Sequence, residues 1–143
     1  MSQDSYILPD LQSSLLCDDV RQERNGKFIL IGLFDALVFP RVPATLHHLC
    51  LVNRWCCGQG VFKQHSRILL PDGMTVLVEG KPVDVKLPES EATATSVEFF
   101  MNVGIKAAGT YWVEILMEND LKLRYPLKVR VVPPQGGNPN QPF

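Results

Sequence analysis

The chain has almost no excess charge of either sign. Fourteen lysines and arginines stand against fifteen aspartates and glutamates in 143 residues, a net charge of −1. With so even a balance, nothing in the composition attracts nucleic acid or an anionic membrane surface. Long apolar runs are missing too, and none approaches the roughly 18 residues a membrane helix requires. The first ten residues lack a basic stretch followed by an apolar one, so no secretory leader is expected. That points to the cytoplasm, where Cys17, Cys50, Cys56 and Cys57 stay reduced rather than forming a disulfide framework.

The usual signatures of chemistry are absent as well. There is no Gly-x-Ser-x-Gly, and the serines at 66, 90 and 96 have no nucleophile context. Gly58-Gln-Gly60 and Gly136-Gly137 are not phosphate-cradling loops. The group His47, His48, Cys50, Cys56, Cys57 and His65 has the side chains zinc prefers, but neither Cys-x2-Cys nor His-x3-His spacing occurs. On an extended strand His48, Cys50 and Cys56 share a face, yet residues 48 and 56 lie about 26 Å apart at roughly 3.3 Å per residue. Small buried hydrophobes is the simpler account of these cysteines. The charged knot Asp18, Asp19, Arg21, Glu23, Arg24 and Lys27 lacks a calcium-loop register and reads as the solvated end of a hairpin. No catalytic, cofactor or metal residue is assigned.

What the sequence does have is alternation. From Leu121 to Val131, apolar residues at 121, 123, 125, 127, 129 and 131 face one way, while Lys122, Arg124, Lys128 and Arg130 face the other. A period of two is that of a strand with one face on a core and the other in water. Before it, Tyr111, Val113, Ile115 and Met117 alternate with Glu114 and Glu118, and Asn119-Asp120 supplies turn chemistry between the two. This is a long hairpin that needs a second sheet to cover it. Gly109-Thr-Tyr111 also has the look of a tyrosine corner.

Upstream, Ser14–Cys17 is a short first strand. Asn25-Gly26 is a strong turn signal, and 27–34 is a strand apolar on both faces, as a central strand would be. Gly32 within it suggests a bulge or a close backbone approach. Phe39-Pro-Arg-Val-Pro43 is a connection. The stretch 45–55 is a strand with Leu49 and Leu51 opposed to His48, Cys50 and Val52. Strands at 61–70, 74–78 and 83–87 follow, separated by Pro71-Asp-Gly73 and Glu79-Gly80. The stretch 93–103 carries Val97, Phe99, Met101 and Val103 inward against Glu98 and Asn102. The organisation is a loose lead-in over 1–13, a β domain over 14–132 and a disordered Pro/Gly/Asn-rich tail over 133–143. No amphipathic helix and no internal repeat is found. Short strands at this spacing predict an all-β, immunoglobulin-like antiparallel sandwich of about eight or nine strands.

Leu16-Cys-Asp-Asp-Val-Arg-Gln-Glu-Arg-Asn-Gly-Lys27, then Ile31-Gly-Leu-Phe34, Phe39-Pro-Arg-Val-Pro43 and the closing Gly109-Thr-Tyr-Trp-Val-Glu-Ile115, resemble a family of small uncharacterised bacterial proteins. The likeness runs over roughly residues 14–132. It implies an immunoglobulin-like sandwich and brings no activity, substrate or site residue with it.

Trp55, Trp112, Phe100 and Tyr6 are the aromatic candidates for contact with a partner. Phe100 and Trp112 both fall on the polar-facing side of their strands, and on adjacent strands they would form an exposed apolar patch. The expectation is a non-enzymatic protein that binds another protein or itself, with no nucleic acid and no membrane as partner. The alternative is a module for a small molecule or carbohydrate, held by Trp55 and the loops at one end. A zinc protein or an enzyme comes third.

Overall fold

A computed structural model describes residues 7–134. Ten strands run in order: β1 (Asp10–Gln22), β2 (Phe28–Phe34), β3 (Ala36–Phe39), β4 (Ala44–Cys56), β5 (Gly60–Leu69), β6 (Val76–Glu79), β7 (Val83–Leu87), β8 (Thr93–Ile105), β9 (Gly109–Met117) and β10 (Asp120–Val131). They form two sheets. One has the order β2-β1-β4-β8, the other β3-β10-β9-β5-β6, with β7 also paired to β5. The protein is all-β, and among the described residues no helix is long and apolar enough to cross a membrane.

The two sheets share one apolar core. Leu16, Leu49, Leu51, Trp55, Phe100 and Val103 from the first meet Phe62, Ile68, Tyr111, Val113, Ile115 and Leu127 from the second. The core face of β9 is as expected, with Tyr111, Val113, Ile115 and Met117 all buried, but Glu114 and Leu116 on its other face are buried too. In β10 Leu127 and Val129 are buried in the core and half-buried Tyr125 packs against it. Leu121 and Leu123 are exposed, and a β-bulge between them sets Leu121 opposite Leu116, on the face away from the core. Glu118 and Asn119, both at positive φ, make a two-residue turn of the kind that suits the right-handed twist of a hairpin. Tyr111 donates its hydroxyl to the carbonyl of Ala107 at 2.7 Å, the bond of a tyrosine corner.

Four sequence expectations need correction. The strand β1 starts at Asp10, inside the expected lead-in, and continues through the charged knot to Gln22. The stretch 36–39 is a strand of its own, pairing parallel to β10. The strand β2 is an edge strand, paired only with β1, and not a central one. In β8, Phe99 and Met101 face solvent while Glu98 and Phe100 face the core. Both β4 and β8 change phase where His47 and Asn102 would meet. The ladder passes from Leu46↔Val103 to His48↔Met101, and Asn102 has φ +54°. Below that step Val103 and Ile105 point in; above it Phe100 and Glu98 do. The tail expected to be disordered lies, from residue 135 on, outside the described residues, as does Tyr6.

Candidate functional site

The outer face of the four-stranded sheet is the unusual surface of the molecule. Cross-strand register sets Leu33 opposite Cys17, Cys17 opposite Cys50 and Cys50 opposite Phe99, one row spanning all four strands. The two thiols at its centre are fully buried, whereas Leu33 and Phe99 at its ends are 58% and 54% exposed. Met101 beside Phe99 is 61% exposed, and Leu15, Phe28, Ile29 and Ile31 are exposed as well.

The β1–β2 hairpin closes over part of this face. The strand β1 pairs with β4 only as far as Cys17; beyond it the hairpin continues alone. Val20 and Leu30 pack on Cys17, Cys50 and Val52, together with Val97. The bend falls at Asp18 and Gly32. Gly32 has φ +70°, where a side chain would be strained, and a Cβ there would also have to displace the exposed Asp18 carboxylate. The tip closes on itself through Gly26 N–H to Glu23 O at 2.9 Å and Gln22 Nε2 to Gly26 O at 3.0 Å. Between the hairpin tip and the sheet runs an open groove of about 710 Å³, bounded by Asn25, Lys27 and Phe28 on one side and Ser13, Arg54 and Thr95 on the other.

Next to the buried thiols, a side-chain cluster gathers from two strands. The ligand atoms of Asp19, His48 and Cys50 all lie within 4.8 Å of one another. His48 Nδ1 lies 2.7 Å from the Asp18 carbonyl, which can only accept, so Nδ1 is the donor and in the neutral ring the lone pair is on Nε2. That Nε2 is 3.9 Å from Cys50 Sγ. Phe99 stacks on the imidazole with ring centroids 5.6 Å apart. The Asp19 carboxylate accepts from Arg21 Nε and from the Val20 amide, both at 2.9 Å, and these bonds hold its pKa below the usual carboxylate range. Burial pushes the Cys50 thiol up to about 11. Cys56 is at the other end of β4, beside the exposed Cys57, and His47 is exposed. Spacing along β4 could not reveal this cluster, because Asp19 arrives from β1.

The aromatic candidates are scattered. Phe100 is buried in the core at 4% exposure, and Trp55 is fully buried. Trp112 is half-buried on β9, in the other sheet, under the guanidinium of Arg124 at 4.9 Å. Arg124 also reaches Glu114 at 3.5 Å, and Arg67 meets the same carboxylate at 2.7 Å. The expected patch of Phe100 with Trp112 therefore does not form, since their strands belong to different sheets.

Trp55 serves a polar network inside the core. Its Nε1 donates to Gln64 Oε1 at 3.1 Å, as does Asn53 Nδ2 at 3.0 Å. Gln64 Nε2 donates in turn to Glu98 Oε1 at 2.8 Å, and Ser66 Oγ donates to the same oxygen. Glu98 is 6% exposed, and burial raises its pKa against the lowering effect of these two donors.

Residues 12–130 match the model of a family of unknown function (DUF6941). No curated protein matches the chain.

Proposed function

The chain belongs to that family of unknown function, and on this premise we propose that it works by association, edge to edge, with a second copy of itself. One observation carries the reading. The edge strand β2, Phe28-Ile-Leu-Ile-Gly-Leu-Phe34, has no charge and no proline, and its residues 28, 29, 31 and 33 are exposed. Soluble proteins protect a free edge with lysine, proline or a covering loop, and an apolar edge left open is a template for strand pairing. A strand apolar on both faces suits a partner of the same kind, and a two-fold axis through β2 would join two four-stranded sheets into one. Leu33 and the neighbouring Leu15 would add side-chain contact to the backbone bonds.

The finer architecture we propose is an immunoglobulin-like sandwich. It is supported by the tyrosine corner at the start of β9, the β10-β9-β5 order and the parallel course of β3 along β10. The same reading has the protein act without chemistry of its own, in the cytoplasm, through a protein partner and not a nucleic acid or a membrane. A second reading rests on the 710 Å³ groove, whose Arg54 and Lys27 would suit a small anionic molecule.

Native mass spectrometry, backed by light scattering across a concentration series, tests self-association. The expected result is a dimer that Ile31→Lys converts to monomer with an unchanged circular dichroism spectrum. A parent protein that is monomeric at every concentration, or a dimer that Ile31→Lys leaves intact, overturns the proposal. A retained organic adduct on a monomer would move the function to the groove.

A further inference from the structure

We propose that Asp19, His48 and Cys50 form a binding site for a single zinc ion on the outer face of the four-stranded sheet. The site lies within one copy of the chain and does not depend on how copies associate. The donor set, one carboxylate oxygen, one imidazole nitrogen and one sulfur, is that of zinc sites, and its three atoms already lie within 4.8 Å of one another.

Two details go beyond proximity. A tetrahedral ion about 2.0 Å from nitrogen and about 2.3 Å from sulfur holds those two atoms about 3.5 Å apart. His48 Nε2 and Cys50 Sγ stand 3.9 Å apart, so closing on an ion takes only a small rotation of either side chain. The imidazole is also fixed in the state a ligand needs. Its Nδ1–H is bound to the Asp18 carbonyl at 2.7 Å and its face is stacked on Phe99, which leaves Nε2 as the ring nitrogen on the side of the sulfur, free to take a metal. Metal-bound histidines commonly donate their other ring N–H to a backbone carbonyl in this way.

Asp19 supplies the third donor. Its oxygens each accept one hydrogen bond, from Arg21 Nε and from the Val20 amide, and each keeps a second lone pair. Cys17, directly opposite Cys50, stands as a neighbour to the bound sulfur. As the sulfur–zinc bond forms, the Cys50 proton passes to solvent. Three protein donors leave the fourth position for water or another exchangeable ligand.

The test is titration of the full chain with zinc ion and, separately, with cobalt(II) as a spectroscopic substitute. It is done in a Cys56→Ser/Cys57→Ser background, so that the neighbouring thiols at 56 and 57 contribute nothing. One equivalent is expected to bind, with a thiolate-to-cobalt band and the visible bands of tetrahedral cobalt. His48→Gln and Asp19→Asn, both on half-buried side chains, should each weaken binding by about a hundredfold or more, beyond what loss of a supporting partner costs. Cys50→Ser should remove the thiolate band. Absence of stoichiometric binding in the parent overturns the site. So does binding that survives His48→Gln and Asp19→Asn unchanged while both variants remain folded.

Discussion

Replacing Gln64 by leucine tests whether the polar network in the core works as a unit. Gln64 is its hub. Its carbonyl oxygen accepts from Asn53, Trp55 and Ser96, and its amide donates to Glu98. Leucine matches its size and removes all four bonds. Asn53 retains a longer contact to Ser66 Oγ at 3.4 Å, and half-buried Ser96 can turn toward water. Trp55 Nε1, fully buried, loses the acceptor it has here, and Glu98 loses one of its two donors. An orphaned buried N–H costs about 1–3 kcal/mol, and a lost hydrogen bond to a charged group about 1.5–3 kcal/mol. The leucine side chain returns about 1–2 kcal/mol through apolar burial. The net expectation is a loss of about 3 kcal/mol. In equilibrium urea unfolding, with a slope of about 2 kcal/mol/M, the midpoint should fall by about 1.5 M. A second variant isolates the cause. In Trp55→Phe there is no indole N–H to orphan, so Gln64→Leu added to it should cost about 1–2 kcal/mol less than in the parent. If Gln64→Leu lies within about 0.5 kcal/mol of the parent, or the two changes are additive, the network does not act as described.

Two other changes probe single features. Glu98→Gln bears on pH. A carboxyl whose folded pKa is raised binds its proton more tightly when folded, so stability falls as pH rises from the ordinary 4.5 through the raised value. Exposed Asp72 and Asp84, whose pKa values are lowered, act the opposite way at more acid pH and cancel in a comparison of the two proteins. Unfolding midpoints measured at several pH values should therefore show the variant gaining on the parent as pH rises above 4.5; parallel curves would mean Glu98 is not buried as its surroundings indicate. Tyr111→Phe removes the 2.7 Å bond to Ala107 and should cost about 1 kcal/mol with an unchanged urea slope. A neutral result would show that the corner adds nothing to stability.

Much of the fold was legible because period-two alternation is a local property. The buried face of β9, the turns at Asn25-Gly26 and Pro71-Asp72-Gly73 and the tyrosine corner all followed from neighbouring residues. In β8 hydrophobicity assigns the faces the wrong way round. Phe99 and Met101 are apolar yet exposed, and Glu98 is acidic yet buried, held by partners from β5 that no local pattern announces. The strand β2 reads as central in the sequence because apolar residues on both faces look the same whether protein or nothing covers them. The Asp19–His48–Cys50 cluster needed the β1–β4 register, which brings together residues about thirty positions apart. Its one sequence signal was the pair His48 and Cys50, two apart and so on one face.

The bent hairpin makes the two central thiols a clock. Cys17 and Cys50 are sealed beneath Val20 and Leu30, while Cys57 is open to solvent. A thiol reagent therefore meets Cys57 at once but must wait for the hairpin to lift before it reaches the pair below. The hairpin is held to the sheet by a few apolar side chains and the His48–Asp18 hydrogen bond, so lifting it breaks far fewer contacts than unfolding the whole sandwich. The lag between fast and slow labelling then reads the free energy of that opening directly. Whatever binds the outer face, whether a second copy or an ion, will lengthen it in proportion to its affinity.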